Sequence, residues 1–230
     1  MATCILIRHG RSSANTDGIL AGWMPEVHLD DTGQEQALRL AERLAHLPIV
    51  TLATSPLDRC RETLAPLADR LGIVLEVHEG LAECRYGSWT GRPLRDLAED
   101  PLWRIVQDDP CSARFPDSPQ YPGESLPEMA ERALAAVAEI DAAVTAAHGD
   151  HSIWALASHG DVIKAILADL LGAGLTHFQR LQIDPASVSI VRLGEGRAMI
   201  MRMGDTGTIP APATDPGPPV RDGVVGGGAG

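Results

Sequence analysis

Short apolar runs alternate with amphipathic segments along most of the chain. Apolar or small residues fill 4–7, 49–53 and 153–157, and each run ends at a polar cluster, which is typical of buried parallel strands. Between these runs, apolar residues recur at helical spacing in 33–46 and again from 129 to about 147. The alternation predicts a three-layer α/β fold, in which a doubly wound, mainly parallel sheet carries helices on both faces.

Capping signals predict where three of the helices begin. Two segments have the form of capping boxes, in which a hydroxyl and a carboxylate satisfy backbone amides at a helix start: Thr32-x-x-Glu35 and Ser125-x-x-Glu128. Ser55 has the chemistry of an N-cap, and Pro56 suits the first position of a helix. We therefore expect this third helix to start directly where the strand over 49–53 ends.

The remaining segments have weaker patterns. They predict a polar loop in 8–30, a strand in 71–77, a loop in 79–91, one or two short helices in 94–106, a proline-rich loop that could cover a site in 110–122, and a β-hairpin formed by 186–193 and 197–203. Beyond Gly204 the chain is rich in Gly, Pro, Ala and Asp and has no stripe to bury. We expect one domain over 1–203, followed by a disordered tail over 204–230.

Length and charge narrow the classes of function. The 230 residues suffice for one large domain. The net charge of −12 argues against general binding to nucleic acids or anionic membranes, because its mean field repels phosphate polymers. No apolar run approaches the roughly 18 residues that span a membrane, and Arg8 comes too early for a signal peptide. A cytoplasmic location is the expectation.

The cysteines and the loop histidines predict neither a disulfide framework nor a metal site. The cysteines show no CxxC spacing and are expected to be free thiols, at Cys4, Cys60, Cys84 and Cys111. His148 and His151 lie beside the turn at Gly149, and no further ligands stand at a recognised metal-binding spacing. We therefore expect both histidines to be exposed loop residues.

Two histidines stand at the carboxyl ends of apolar strands. His9 follows the first strand, with Arg8 beside it, and His159 follows the strand over 153–157. Ligands bind at this edge of an α/β sheet, and the helix amides after Gly160 add partial positive charge there. A neutral imidazole can attack phosphorus without prior deprotonation, which makes His9 the candidate nucleophile. The alternative is a strand-end histidine that a backbone carbonyl satisfies.

Two further side chains complete a chemical set for phosphoryl transfer. Arg59 is expected about one turn into the helix that follows the second strand, and Glu83 lies in a loop. Arg8, Arg59 and His159 can neutralise oxygens as charge develops at phosphorus, while Glu83 protonates the departing oxygen. Taken alone, a helical arginine or a loop glutamate is usually a solvated charge. Taken together and in this order, the residues predict a phosphoryl-transfer site.

Four sequence blocks resemble the histidine phosphatase superfamily, in the branch of cofactor-dependent phosphoglycerate mutases and related phosphatases. They are Arg8-His9-Gly10, Ser55-Pro56-Leu57-x-Arg59 with Thr63, Glu83 ahead of Tyr86-Gly87-Ser88-Trp89-Thr90-Gly91, and Ser158-His159-Gly160. Two more segments look like this family, so that the resemblance spans about residues 3–203: Leu29-x-x-Thr32-Gly33-x-x-Gln36-Ala37 and Gly123-Glu124-Ser125. The resemblance implies a phosphoglycerate mutase-like fold.

The resemblance also implies a mechanism. A phosphohistidine would form at His9, and Glu83 would serve first as acid and then as base toward water. The phosphoryl oxygens would be bound by a shared set of groups, namely Arg8, Asn15, Arg59, His159 and the backbone at Gly160. Asn15 has the alternative of capping its own loop. Such a reaction requires no metal ion and no cofactor, so that activity is expected to survive EDTA.

Hydrolysis is favoured over two alternative functions. The segments Trp89-Thr90-Gly91 and Gly123-Glu124-Ser125 resemble the phosphatases of the family more than its mutases. A mutase must keep water away from the phosphoenzyme, whereas a phosphatase must admit it. The alternatives are a phosphoglycerate mutase-type phosphoryl transferase and a catalytically silent module that binds phosphorylated ligands.

Substrate selectivity is expected to come from 11–30 and 84–124, with Arg11, Arg85 and Tyr86 as the candidate residues. Arg11 departs from the family resembled, which commonly has Glu or Gln after the glycine. Its charge could favour a more anionic substrate or could pair with a nearby acid. The predicted partner is a small phosphorylated metabolite, and the sequence leaves open its identity and whether the chain forms a homo-oligomer.

Overall fold

The computed structural model describes residues 2–194, 198–207 and 225–227. Within these ranges six strands form one sheet: β1 (Thr3–Arg8), β2 (Ile49–Thr54), β3 (Leu75–Val77), β4 (Ile153–Ser158), β5 (Val188–Arg192) and β6 (Met199–Asp205). Their order across the sheet is β3-β2-β4-β1-β5-β6. Strands β3, β2, β4 and β1 pair in parallel, whereas β5 pairs antiparallel with both of its neighbours, β1 and β6. The predicted mainly parallel sheet is confirmed, with the closing hairpin at one edge.

Helices cover both faces of this sheet. Those in the described ranges are α1 (Ser13–Asp17), α2 (Asp31–Leu44), α3 (Asp58–Leu71), α4 (Leu94–Leu97), α5 (Pro101–Asp108), α6 (Leu126–His148) and α7 (Gly160–Leu170). Alternate residues of β1 point to opposite layers, as they must in an extended strand. Cys4 and Leu6 pack in the cluster that includes residues of α6 and α7, whereas Ile5 and Ile7 pack with residues of α2 and α3. The predicted three layers are confirmed.

The start of α2 differs from the prediction. The helix begins at Asp31, and its N-cap is Asp30, whose carboxylate accepts a hydrogen bond from the Gly33 amide at 2.8 Å. The predicted cap was Thr32. Its hydroxyl instead accepts a hydrogen bond from the Arg11 guanidinium at 2.8 Å. Thr32 therefore connects two segments of the chain and does not cap the helix.

The start of α3 also differs. This helix begins at Asp58, with Leu57 at the N-cap position and no side-chain cap. The predicted cap, Ser55, lies three residues before the helix, and its hydroxyl is 2.8 Å from Nε2 of His159. A long-range partner thus holds this side chain, and the short segment between β2 and α3 is longer than predicted.

Some of the other local predictions are confirmed, and others need correction. The capping box of Ser125 and Glu128 is present at the start of α6, and the segment 94–106 contains two short helices. The loop predicted over 8–30 contains α1, which has only five residues and therefore shows no apolar stripe. The third strand is confined to 75–77, because α3 continues to Leu71 and Gly72, at φ 68°, ends it. Two short 3₁₀ helices interrupt the loop over 79–91.

Part of the carboxyl-terminal prediction falls outside the described residues. This applies to 195–197 of the hairpin and to 208–224 and 228–230 of the tail. The boundary at 203 and the disorder of the rest of the tail therefore stay predictions, although β6 continues to Asp205 and Val225 is buried. None of the helices in the described ranges is long and apolar enough to cross a membrane.

Candidate active site

The parallel pairing of β1 with β4 brings the two strand-end histidines together. Arg8 lies opposite Ser158 in the register of the two strands, so that His9 and His159 leave the sheet side by side. The His9 amide donates a hydrogen bond to the Ser158 carbonyl at 3.0 Å. The imidazole rings meet edge to face, with centroids 5.3 Å apart, and both residues are buried.

The hydrogen bonds of His9 leave it suited to act as a nucleophile. Its Nδ1 lies 2.7 Å from the Gly10 carbonyl, and because a carbonyl can only accept, Nδ1 carries the proton and Nε2 keeps a lone pair. Burial, and then the charges of Arg59 and Arg8, hold the pKa of His9 well below its usual value. The ring is therefore neutral at physiological pH.

The backbone around His9 is fixed by a residue from α3. The Gly10 amide donates a hydrogen bond to Thr63 Oγ1 at 2.9 Å, and this hydroxyl donates in turn to the Arg59 carbonyl at 2.6 Å. A side chain at position 10 has no room, since a Cβ there would lie 2.8 Å from the Gly33 carbonyl oxygen. Gly10 is thus needed for the close approach of the His9 loop to the start of α2.

Two buried guanidinium groups supply fixed positive charge at the site. Arg8 Nη1 donates a hydrogen bond to the Ile183 carbonyl at 2.7 Å, and Arg59 Nη2 donates to the Gly22 carbonyl at 2.9 Å. Burial lowers the pKa of Arg8 to about 10, which still leaves a cation at neutral pH. Among the described residues, Arg59 Nη1 is buried without a hydrogen-bond partner. An anion bound in the cavity would satisfy this nitrogen.

His159 is held by partners at both ring nitrogens. Arg59 Nη2 lies 3.2 Å from Nδ1, and since a guanidinium can only donate, Nδ1 accepts and Nε2 donates its proton to Ser55 Oγ at 2.8 Å. Burial and the Arg59 charge place the pKa of His159 well below its usual value. In this arrangement His159 is neutral, and Arg8 and Arg59 carry the positive charge.

Glu83 is buried in the same site and has a raised pKa. One carboxylate oxygen accepts a hydrogen bond from the Cys84 amide at 2.9 Å, and the other lies 3.9 Å from Nδ1 of His159. Burial, with a further contribution from the charge of Asp161, raises the pKa of Glu83 to about 7. A carboxyl group with this pKa can give up and regain a proton near neutral pH.

The loop that carries Glu83 is anchored by residues that sequence reasoning did not single out for this purpose. Arg132 on α6 donates hydrogen bonds to the carbonyls of Gly80, Ala82 and Glu83, at 3.0, 2.7 and 2.8 Å. The carboxylate of Glu124 holds Arg132 through two contacts of 2.7 and 3.1 Å. The Gly-Glu-Ser segment was part of the resemblance, but nothing in the local sequence pairs Glu124 with Arg132.

One cavity lies beside these groups, and Arg8 and His159 are not part of its lining. Its lining includes both candidate reactive side chains and one arginine, and consists of His9, Ser12, Asn15, Ile19, Leu20, Ala21, Gly22, Arg59, Glu83, Tyr86 and Gly226. The amide oxygen of Asn15 accepts hydrogen bonds from the backbone and hydroxyl of Ser12, at 3.0 and 2.9 Å, in a capping box at the start of α1. Asn15 therefore lines the cavity and also caps its own segment, and Gly160 begins α7 beside His159.

The three candidate specificity residues have different surroundings. Arg11 forms an ion pair with Asp30, with 2.6 Å between Nε and Oδ2, which is the second of the two alternatives for its charge. The guanidinium of Arg85 lies over the ring of Trp23, 4.4 Å from the centroid. Of the three, only Tyr86 lines the cavity.

The cysteines and the loop histidines supply no reactive group or metal ligand to the site. The four cysteines are free thiols, and burial raises the pKa of Cys60, which lies 3.4 Å from His159 Nε2, to about 12. His148 and His151 are exposed. Within the described ranges, no group of three or more His, Cys, Asp or Glu side chains is arranged to hold a metal ion.

Known proteins resemble this chain in sequence and in fold. The chain is 32% identical over 172 residues to glucosyl-3-phosphoglycerate phosphatase of Mycolicibacterium vanbaalenii, covering 73% of each chain. It is 28% identical over 193 residues to the probable phosphoglycerate mutase GpmB of Erwinia tasmaniensis, covering 83% of this chain and 85% of the relative. The solved structure of mycobacterial glucosyl-3-phosphoglycerate phosphatase with VO3 superimposes with a TM-score of 0.75 at 25% identity, covering 87% of this chain and 97% of that one.

A family model agrees with these relatives and with the resemblance found in the sequence. It describes branch 1 of the histidine phosphatase superfamily and matches residues 4–206. This range runs from the second residue of β1 through β6 and includes every residue of the candidate site except Gly226. The chain belongs to the histidine phosphatase superfamily.

Proposed function

We propose that the chain is a phosphomonoester hydrolase that acts on a small phosphorylated metabolite through a phosphohistidine at His9. The observation that carries the proposal is the pairing, in one cavity, of two complementary groups. His9 is a neutral imidazole whose Nε2 keeps its lone pair, and Glu83 is a buried carboxyl group whose pKa is raised to about 7. A nucleophile and a proton donor with these properties are what ester cleavage at phosphorus requires.

The first half of the reaction transfers the phosphoryl group to the enzyme. Nε2 of His9 forms a bond to phosphorus, the ester P–O bond breaks, and protonated Glu83 gives its proton to the departing alkoxide. The charges of Arg8 and Arg59 stabilise the phosphoryl oxygens, and the unpartnered Nη1 of Arg59 gains an acceptor. Both guanidinium groups are buried, which strengthens their interaction with the developing charge.

The second half returns the phosphoryl group to water. Ionised Glu83 takes a proton from the attacking water, the new P–O bond forms, and the P–N bond to His9 breaks. Inorganic phosphate leaves, and Glu83 is protonated again, ready for the next turnover. Mutase activity differs at this point only in its acceptor, since there the bound product replaces water.

The test is hydrolysis of p-nitrophenyl phosphate by the native chain and by His9→Ala. We expect turnover by the native chain in the presence of EDTA and its loss in the variant. His148→Ala, which removes an exposed histidine, is the matched control and should retain activity. Isomerisation of 3-phosphoglycerate at a rate above its hydrolysis would show a mutase, and binding without turnover would show a silent module. The proposal retains the cytoplasmic location predicted from the sequence.

A further inference from the structure

A short segment near the carboxyl terminus lies against the active site. Val225 is 1% exposed, and Gly226 lines the same cavity as His9 and Glu83. The Gly226 amide donates a hydrogen bond to Oδ2 of Asp161 at 3.1 Å. A backbone amide of the chain itself therefore occupies one acceptor position of the Asp161 carboxylate, next to the cavity.

Asp161 has no part in the reaction described above, yet it is fully buried at the start of α7. Its Oδ2 also accepts a hydrogen bond from the Tyr86 hydroxyl at 2.8 Å, and its Oδ1 accepts a hydrogen bond from Lys164 Nζ at 3.0 Å. Lys164 is 2% exposed and donates a further hydrogen bond to Gln179 at 2.6 Å. The pair of Asp161 and Lys164 is thus close to neutral in total charge, while Oδ2 remains an acceptor.

Asp161 lies next to the cavity but is not part of its lining. Its two partners at Oδ2, Tyr86 and Gly226, both line the cavity, so that the carboxylate lies directly behind the wall that they form. Its charge is also close enough to Glu83 to raise the pKa of that acid. Glu83 is the proposed donor to the departing oxygen and lines the same cavity as Tyr86 and Gly226, so that a leaving group that reaches Glu83 comes close to both partners of Oδ2.

We propose that Asp161 accepts a hydrogen bond from the hydroxyl group at the end of the leaving alcohol far from the phosphoester, in the place that the Gly226 amide takes in this structure. The inference rests on the proposed hydrolase function and names the substrate class as phosphorylated polyols. A hydroxyl suits the site better than an ammonium group, because Lys164 already compensates the Asp161 charge. A carboxylate at the same place has no proton to donate to Oδ2 of Asp161.

A matched pair of substrates tests this selectivity. Glycerol 3-phosphate and 3-phosphoglycerate share one carbon skeleton and differ in whether it ends in a hydroxymethyl group or a carboxylate. We expect the native chain to hydrolyse glycerol 3-phosphate with a kcat/KM about tenfold or more above that for 3-phosphoglycerate, since a hydrogen bond to a charged acceptor has about that effect. In Asp161→Asn, which keeps the size of the side chain, this ratio should fall by about tenfold.

A second variant tests the same site without altering Asp161. Gly226 has φ 64°, a left-handed conformation that strains any L side chain, and a Cβ there would also meet Cδ1 of the buried Leu20, so that Gly226→Ala should displace the segment from the cavity. The KM for glycerol 3-phosphate should then fall several-fold, and adding Asp161→Asn should remove the gain. Gly172→Ala is the control, because Gly172 has φ 71° and open space around it.

Three results overturn the inference. They are a native preference for 3-phosphoglycerate, a substrate ratio that Asp161→Asn leaves unchanged while hydrolysis continues, and a preference for O-phosphoethanolamine over glycerol 3-phosphate, which would assign the subsite to a cation. Failure of the native chain to hydrolyse p-nitrophenyl phosphate, glycerol 3-phosphate or any of the other esters would overturn the proposed function, and this inference with it. The first three outcomes leave the proposed function intact.

Discussion

His9 and His159 occupy equivalent places in the fold but differ in what their ring nitrogens can do. Both follow the carboxyl end of a buried parallel strand, both are buried, and both have lowered pKa values. His159 has a partner at each nitrogen, whereas the Gly10 carbonyl holds only Nδ1 of His9. Hydrogen-bond partners, rather than residue type or burial, therefore decide which imidazole can act as the nucleophile.

Replacing each histidine in turn should have the largest effect and should break the symmetry of the pair. We expect His9→Asn to lower kcat by about ten-thousandfold or more, because the nucleophile is lost. His159→Asn should lower kcat by about a hundredfold, because it removes a positioned polar group but leaves the nucleophile. Steady-state kinetics with p-nitrophenyl phosphate measure both losses. Equal losses in the two variants would contradict the distinct roles.

Replacing the acid should affect substrates unequally. Glu83→Gln should slow the hydrolysis of glycerol 3-phosphate by about a hundredfold or more, because an alkoxide needs a proton to depart. It should slow p-nitrophenyl phosphate far less, since nitrophenolate is a good leaving group. The ratio of the two kcat/KM values, in the native chain and in the variant, is the quantity to measure. Equal slowing of both substrates would remove Glu83 from this role.

The pH dependence should report on the same carboxyl group. Because the pKa of Glu83 is raised to about 7 and the protonated form is the acid, kcat/KM for an alkyl phosphate should fall by about tenfold per pH unit above that value. The pKa of His9 is lowered, so that its nucleophilic form persists through this range. In Glu83→Gln the fall should disappear. A fall that persists in this variant would have to come from another group.

Freeing one nitrogen of His159 should have the smallest effect. Ser55→Ala removes the acceptor of the Nε2 proton and should lower kcat a few-fold with little change in KM, since a net hydrogen bond contributes about 1 kcal/mol. Ser88→Ala is a suitable control, because Ser88 is exposed on the loop after Glu83. The chemical shifts of the His159 ring should move in the first variant alone. An unchanged His159 spectrum in Ser55→Ala would mean that Ser55 does not orient the ring.

The sequence predicted the parts of the fold that follow from local pattern. Apolar runs located β1, β2 and β4, and polar clusters after β1 and β4 located both histidines. A run of apolar residues is visible in the chain because the buried face of each element imposes it. The chain order of these runs was enough to predict the layers and the class of sheet.

The parts that were missed depend on partners distant in the chain. Ser55 is a good N-cap by residue type, but its hydroxyl forms a hydrogen bond with His159, over a hundred positions away in the chain. Glu124 and Arg132 hold the Glu83 loop from another part of the chain. Asp161 likewise takes its partners Tyr86 and Gly226 from segments at least 65 positions away. No local pattern shows such pairs, because it is the folded backbone that brings them together.

The most direct test is to identify the residue that carries the phosphoryl group. The native chain is mixed with p-nitrophenyl phosphate, quenched rapidly at alkaline pH, where phosphohistidine survives, and digested for mass spectrometry. We expect the phosphoryl group on the peptide that contains His9, and none on the corresponding peptide of His9→Asn. A phosphoryl group on His159, or continued hydrolysis with no phosphohistidine at all, would contradict the account.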